Sequence, residues 1–153
     1  MIIPIWQRFL ASLIYILPWS DAIQYGHNIF SIYPFSQILI TPALPIIFLE
    51  QVVPYGSLII FIILFFGIVR NQNTPYFIKF AAMQSILVNL LLIIYSYIKS
   101  FIYTMLGRSF FLENIDLFIF IITLSIVIFT IIQSIRGVEA DLPGISTASK
   151  MQI

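Results

Sequence analysis

Polar side chains are scarce in this sequence, so those that recur at helical spacing carry whatever chemistry it has. Ser85, Asn89 and Ser96 are separated by four and seven residues, which at 100° per residue places them within an arc of about 40° on one helix face. Asp116, Thr123, Thr130 and Ser134 recur at seven, seven and four, again within about 40° of one another. Each set forms a polar seam along an otherwise apolar helix. A seam of this kind either hydrogen-bonds one helix to its neighbour or lines a hydrated path, and small polar residues serve the first purpose more often.

Asp21 is a carboxylate at membrane depth or an interfacial one just after a helix broken by Pro18. Ionisable groups inside a membrane are costly, about 2.5 to 3.5 kcal/mol for Asp at a helix centre, and need a partner or a pathway. His27 is the single histidine, cysteine is absent, and no carboxylate stands near His27 at ligand spacing, so it reads as an interfacial side chain and no metal site is expected. No Gly-rich phosphate loop, paired catalytic carboxylates or serine elbow occurs, so neither a catalytic site nor a cofactor is expected.

The elements that must position these seams follow from composition and from the spacing of charges. Of 153 residues, 61% are apolar and only 8% are charged, with seven basic and six acidic side chains. A water-soluble domain draws about a quarter of its residues from the charged types. The near balance of charge leaves no field to recruit nucleic acid. Three charge-free runs of 19 residues, 51–69, 80–98 and 117–135, match about 30 Å of hydrocarbon at about 1.5 Å per residue. The stretch from Leu58 to Phe66 alone favours insertion by roughly 3 to 5 kcal/mol.

The expected fold is an all-α polytopic membrane protein of about four transmembrane helices, with spans at about 8–28, 51–69, 77–98 and 116–135. The first is read as one kinked helix through about Asn28. Residues 33–49 are uncharged, yet Pro34, Pro42 and Pro45 interrupt them, and each internal proline removes a backbone bond that lipid cannot replace. They are read as a re-entrant or interfacial connection after the first span. Four spans place Arg8, Arg70, Lys79, Arg136 and Lys150 on one side and Lys99 and Arg108 on the other, so both termini face the cytoplasm-like side. Residues 137–153 form a short polar tail, either a frayed terminus or a docking peptide using Leu142, Ile145, Met151 and Ile153.

Three stretches carry a resemblance. They are Tyr15-Ile16-Leu17-Pro18-Trp19-Ser20-Asp21-Ala22-Ile23-Gln24-Tyr25-Gly26; Gly67-Ile68-Val69-Arg70-Asn71 followed by Phe77 to Leu87; and the ending from Leu142 to Ile153. They resemble the twenty-kilodalton Tic subunit of the chloroplast inner-envelope protein-import translocon and its cyanobacterial relatives. The similarity runs from about Arg8 to the last residue, with Val69-Arg70-Asn71 and Phe80 to Gln84 its most specific pieces. The family often has Asn at the position of Ala81 and Asp at that of Asn89. An acidic group acting in conduction in the third span would therefore be missing here.

The resemblance implies four transmembrane helices with both termini in the stroma, and help in moving precursor proteins across the inner envelope as channel or core assembly subunit. It implies other translocon subunits, transit-peptide-bearing precursors and membrane lipid as partners, and it allows a homo-oligomer. Isoleucine outnumbers leucine 34 to 17, and the amino terminus reads as neither a secretory signal nor a transit peptide, so the chain either acts where it is made or has had a presequence removed. Both fit a plastid-encoded member, with the cyanobacterial plasma membrane as the alternative location. Two rival readings of the same residues are a small-solute or ion transporter, which needs ionisable groups along its path, and a structural membrane scaffold whose seams dock partner helices.

Overall fold

The computed structural model describes residues 2–153, and every regular element among them is helical. The amino-terminal third is a chain of short pieces: α1 (Ile5–Ile14), α2 (Ile16–Ala22), a 3-10 turn (Ile23–Gly26) and α3 (His27–Ile32). Pro18 accounts for the first break. It has no N–H to offer the carbonyl of Ile14 four residues back, and its ring crowds that turn, so the α-helix is interrupted at Tyr15.

Residues Pro34–Ala43 continue as a 3-10 helix, which passes into α4 (Leu44–Val52). By length and apolar composition Pro34–Val52 is sufficient to cross a membrane. Its contacts, however, keep it beside the end of α2: the Leu39 carbonyl accepts from Trp19 Nε1 at 2.8 Å, and Ala43 is buried against the Trp19 cluster. Its middle reaches inward at Ile46, which lines a cavity with Leu13 and Leu17. Its far end, Glu50, meets the turn at Tyr55, whose φ of 58° puts it in the left-handed region. A side chain at Gly56 would lie 2.6 Å from the Glu50 Cα, so only glycine permits this close a reversal.

From there α5 (Gly56–Ile62) runs on into a π-helical stretch (Ile63–Val69), together a 14-residue apolar helix ending where the Arg70 N–H reaches the Phe65 carbonyl five residues back. The polar turn at Asn71–Thr74 and Pro75 then launches α6 (Tyr76–Leu106), 31 residues and about 46 Å long. Gly107, with φ 72°, ends it. Ser109 caps α7 (Phe110–Arg136) by accepting from the Leu112 N–H at 3.4 Å. Gly137 at φ 74° closes α7, with Val138 N–H on the Gln133 carbonyl and Gly137 N–H on the Ser134 carbonyl, the paired bonds of a left-handed glycine terminus. A final short helix, α8 (Ile145–Gln152), follows.

The broken amino-terminal segment forms the centre of the bundle. α1 and α2 each pack against both α6 and α7, standing between the two long helices. Ala11 and Ala22 are fully buried, as are Pro18 and, nearly so, Tyr15, Leu17 and Trp19. Trp19 and Phe30 both pack on Phe120 of α7, at ring-centroid separations of 5.2 and 5.4 Å. Gly26 lies so close to the Phe120 ring that a Cβ there would collide with it. By contrast, the outer surface carries exposed Ile, Leu and Phe on nearly every element, Phe66, Tyr97, Phe118 and Ile132 among them. A surface this apolar belongs in lipid, which fixes the fold class as an all-helical membrane protein of several spans.

Candidate functional site

The helices that carry the two seams, α6 and α7, both pack against α1 and α2. On α6, Ser85 is fully buried and its hydroxyl donates to the Ile14 carbonyl at 2.9 Å, the acceptor that Pro18 leaves without its helical donor. A side chain from a neighbouring helix thus replaces the missing backbone bond, as the absence of water in a bilayer requires. Asn89, one turn further on, lines a cavity of about 470 Å³ together with Asp21 and Ser96. The Asn89 Oδ1 is buried with no hydrogen-bond partner.

On α7, Thr123, Thr130 and Ser134 are buried on the helix face turned toward α1 and α2. The Thr130 hydroxyl bonds back to the carbonyls of Ile126 and Val127 at 2.9 and 3.0 Å. Asp116 sits apart from these three, toward the other end of the bundle. It accepts from Lys99 Nζ at 2.5 Å and from the Tyr95 hydroxyl at 2.6 Å, tying α7 to α6. Lys99 also lies 5.3 Å from the ring centre of Tyr25 and 5.4 Å from that of Tyr103. Asp21 has no counterpart to this arrangement: the ion pairs among the described residues join Lys99 to Asp116, Arg108 to Glu113 and Lys150 to Glu139.

A second polar centre stands at the opposite end of the bundle, outside both seams. Gln84 is fully buried; it accepts from the Tyr15 hydroxyl at 2.6 Å and donates to the Ala140 carbonyl and to Ser146 Oγ, both at 2.9 Å. Ser146 Oγ also accepts from the Leu142 N–H at 2.6 Å. This network fastens the tail to the first turns of α6 rather than leaving it frayed. The residues it buries are Ala140, Leu142, Ser146 and Ser149, whereas Met151 is exposed at 78%. Gln84 stands about 100° around the helix from Ser85, outside the arc that defined the seam. A lone glutamine in a 19-residue charge-free run was the available signal.

Basic groups gather at this same end. The Arg8 guanidinium donates to the Ile3 carbonyl at 2.8 Å and to the Ile135 carbonyl at 3.4 Å, where its charge also suits the carboxyl end of α7. It covers Gly137 closely enough that a Cβ there would lie 2.8 Å from Nε. Lys150 stands over the Phe80 ring at 5.6 Å. His27 lies at the start of α3 on the exposed side, and no group of three or more metal-binding side chains occurs among the described residues.

Comparison with known proteins matches residues 4–149 to a family model described as "Chloroplast import apparatus Tic20-like". A Tic20 family protein from Synechocystis sp. is 37% identical over 148 residues, covering 96% of this chain and 92% of the relative. The Tic20 family protein Ycf60 of Gracilaria tenuistipitata is 32% identical over 168 aligned positions, covering 99% of this chain and 77% of the relative. Protein TIC 20, chloroplastic, of Pisum sativum is 27% identical over 153 residues, 97% of this chain but only 59% of the pea protein.

Proposed function

The chain belongs to the Tic20-like family of the chloroplast import apparatus, and from that membership we propose that it is a membrane subunit of a protein translocon that helps precursor proteins cross the chloroplast inner envelope. The observation that carries the reading is the family match along nearly the whole chain, 4–149, together with the Synechocystis relative of almost equal length. The proposed spans are about 8–28, 51–69, 77–98 and 116–135, with 33–49 re-entrant between the first two. The contact of Leu39 with Trp19 of α2, the reversal that brings Glu50 beside Gly56, and Ile46 reaching inward support the re-entrant course.

Both termini are proposed to face the stroma. Arg8, Arg136 and Lys150 stand at one end of the bundle with the start of α6, which carries Lys79, while Lys99 and Arg108 lie toward the other. That segregation agrees with the positive-inside rule.

Within the translocon the single copy acts as an assembly bundle and contributes one wall, at most, to a conducting path. A helix with its side chains is about 10 to 12 Å wide, so a passage across 30 Å of hydrocarbon needs on the order of 2,400 Å³. The polar cavity beside Asp21 holds about 470 Å³, and α1 and α2 each pack against both α6 and α7. The reading is tested by arresting a precursor in transit through isolated membranes and purifying this chain under mild detergent. Co-isolation of the precursor and of further membrane subunits is expected. Recovery of this chain free of both would sink the proposal.

A further inference from the structure

The cavity at Asp21 is built to receive a group that the chain itself does not supply. Asp21 has no basic partner among the described residues, and the Lys99 ammonium is taken by Asp116. Asn89, only 6% exposed, lines the same cavity with an acceptor oxygen that meets no donor. Glu50, at the tight turn beside Gly56 and so next to the cavity wall at Ser57, likewise has a buried oxygen without a partner. Two carboxylates and an amide oxygen are thus gathered near the middle of α6 with no basic side chain in the lining, whose donors, on Gln24, Ser57, Asn89, Ser96 and Tyr97, are all neutral. Leaving a carboxylate unpaired at that depth is unfavourable.

Size and lining decide what fits. About 470 Å³ is the volume of roughly fifteen water molecules at about 30 Å³ each, far more than a bare cation fills. The walls are of two kinds: apolar Leu58, Phe61 and Ile93, with Ser96 exposed beside them at the rim, and Asp21 and Asn89 further in. A cationic head on a long apolar stem suits both, which is the form of a lysine or arginine side chain. The rim faces outward, with Leu58 57% and Tyr97 75% exposed, so the side chain must come from a neighbouring molecule lying along the membrane-facing surface.

We infer that the cleft between α2, α5 and α6 docks a lysine or arginine carried by a transmembrane helix of a neighbouring subunit, with Asp21 as counter-charge and Asn89 as second acceptor. The inference rests on the multi-subunit reading for the presence of such a neighbour, and on the cavity for its chemistry. An arginine buried in its own membrane helix needs an acceptor as much as Asp21 needs a donor, so each resolves the other's cost.

The test uses the intact complex in its native membrane. A photocrosslinking residue replaces Tyr97 at the rim, and the adduct is sequenced by mass spectrometry. The expected adduct is a membrane helix of another subunit with a lysine or arginine within one turn of the crosslinked position. Its yield should fall at least tenfold in Asp21→Asn and in Leu58→Trp, which fills the rim, at equal abundance of the chain. Exchange of the charges, Asp21→Lys with the partner's basic residue changed to Asp, should restore at least half the yield. Adducts confined to lipid or to the arrested precursor, or a yield unmoved by Asp21→Asn, would overturn the inference. Co-isolation with precursor is scored separately: a captured subunit outside any import complex leaves the cleft intact and removes the functional reading instead.

Discussion

The Ser85 hydroxyl illustrates how a single side chain supports a membrane helix that its own sequence breaks. Pro18 orphans the Ile14 carbonyl, and Ser85 donates to it at 2.9 Å from a different helix. Ser85→Ala should therefore cost about 1 to 3 kcal/mol, the penalty of a buried acceptor left unpaired. Pro18→Ala in that background should recover part of the loss, because the restored N–H can serve the same carbonyl. Reversible unfolding of the purified chain in detergent measures both. At the other end, the Lys99 and Asp116 pair is linked to Tyr95. Removing one charge strands the other, so Asp116→Asn alone should destabilise more than Asp116→Asn combined with Lys99→Met, and a double-mutant cycle reads that coupling.

Among the elements, the amino-terminal segment holds the bundle together although it is the least regular of them. Gly26 touches the Phe120 ring with no space for a methyl group. Gly26→Ala should destabilise the fold by about 1 to 3 kcal/mol, and Phe120→Leu beside it should relieve much of that strain. α8 is held chiefly through Gln84, so Gln84→Leu should free the tail while the spans stay folded. Limited proteolysis would show it as faster loss of residues after Gly137 with the rest of the chain protected. The apolar runs of α6 and α7 were legible in the sequence because charges bound them, but the helices run past those charges, α6 to Leu106 rather than 98 and α7 from Phe110 rather than 116. The central role of α1 and α2 was not legible, since Pro18 and Asp21 interrupt the apolar run that identifies a span, and burial by neighbours leaves no mark in hydropathy. The tail read from the sequence as either a frayed terminus or a docking peptide. Its anchor is a buried glutamine on another element, a pairing that no local pattern reveals.

For the whole molecule, the question is whether the polar residues form a path or a set of joints. Both seams lie on helices that pack against the segment standing between them, and the hydroxyls of Ser85 and Thr130 are bonded to backbone within the bundle. Asn89 of the α6 seam gathers instead with Asp21 at one lateral cleft. A family resemblance was readable from three motifs, and the family match spans nearly all of the chain. What the seams do was not readable, because spacing on a helix names a face and not its neighbour. The most direct test places a photocrosslinker at Ser85, Thr123 and Thr130 in turn while a precursor is arrested in transit. The account predicts adducts within the chain itself, to residues of α1 and α2, and none to the precursor. Precursor adducts from Thr123 or Thr130 would contradict it, because the chain in transit would then occupy the space assigned to the amino-terminal segment.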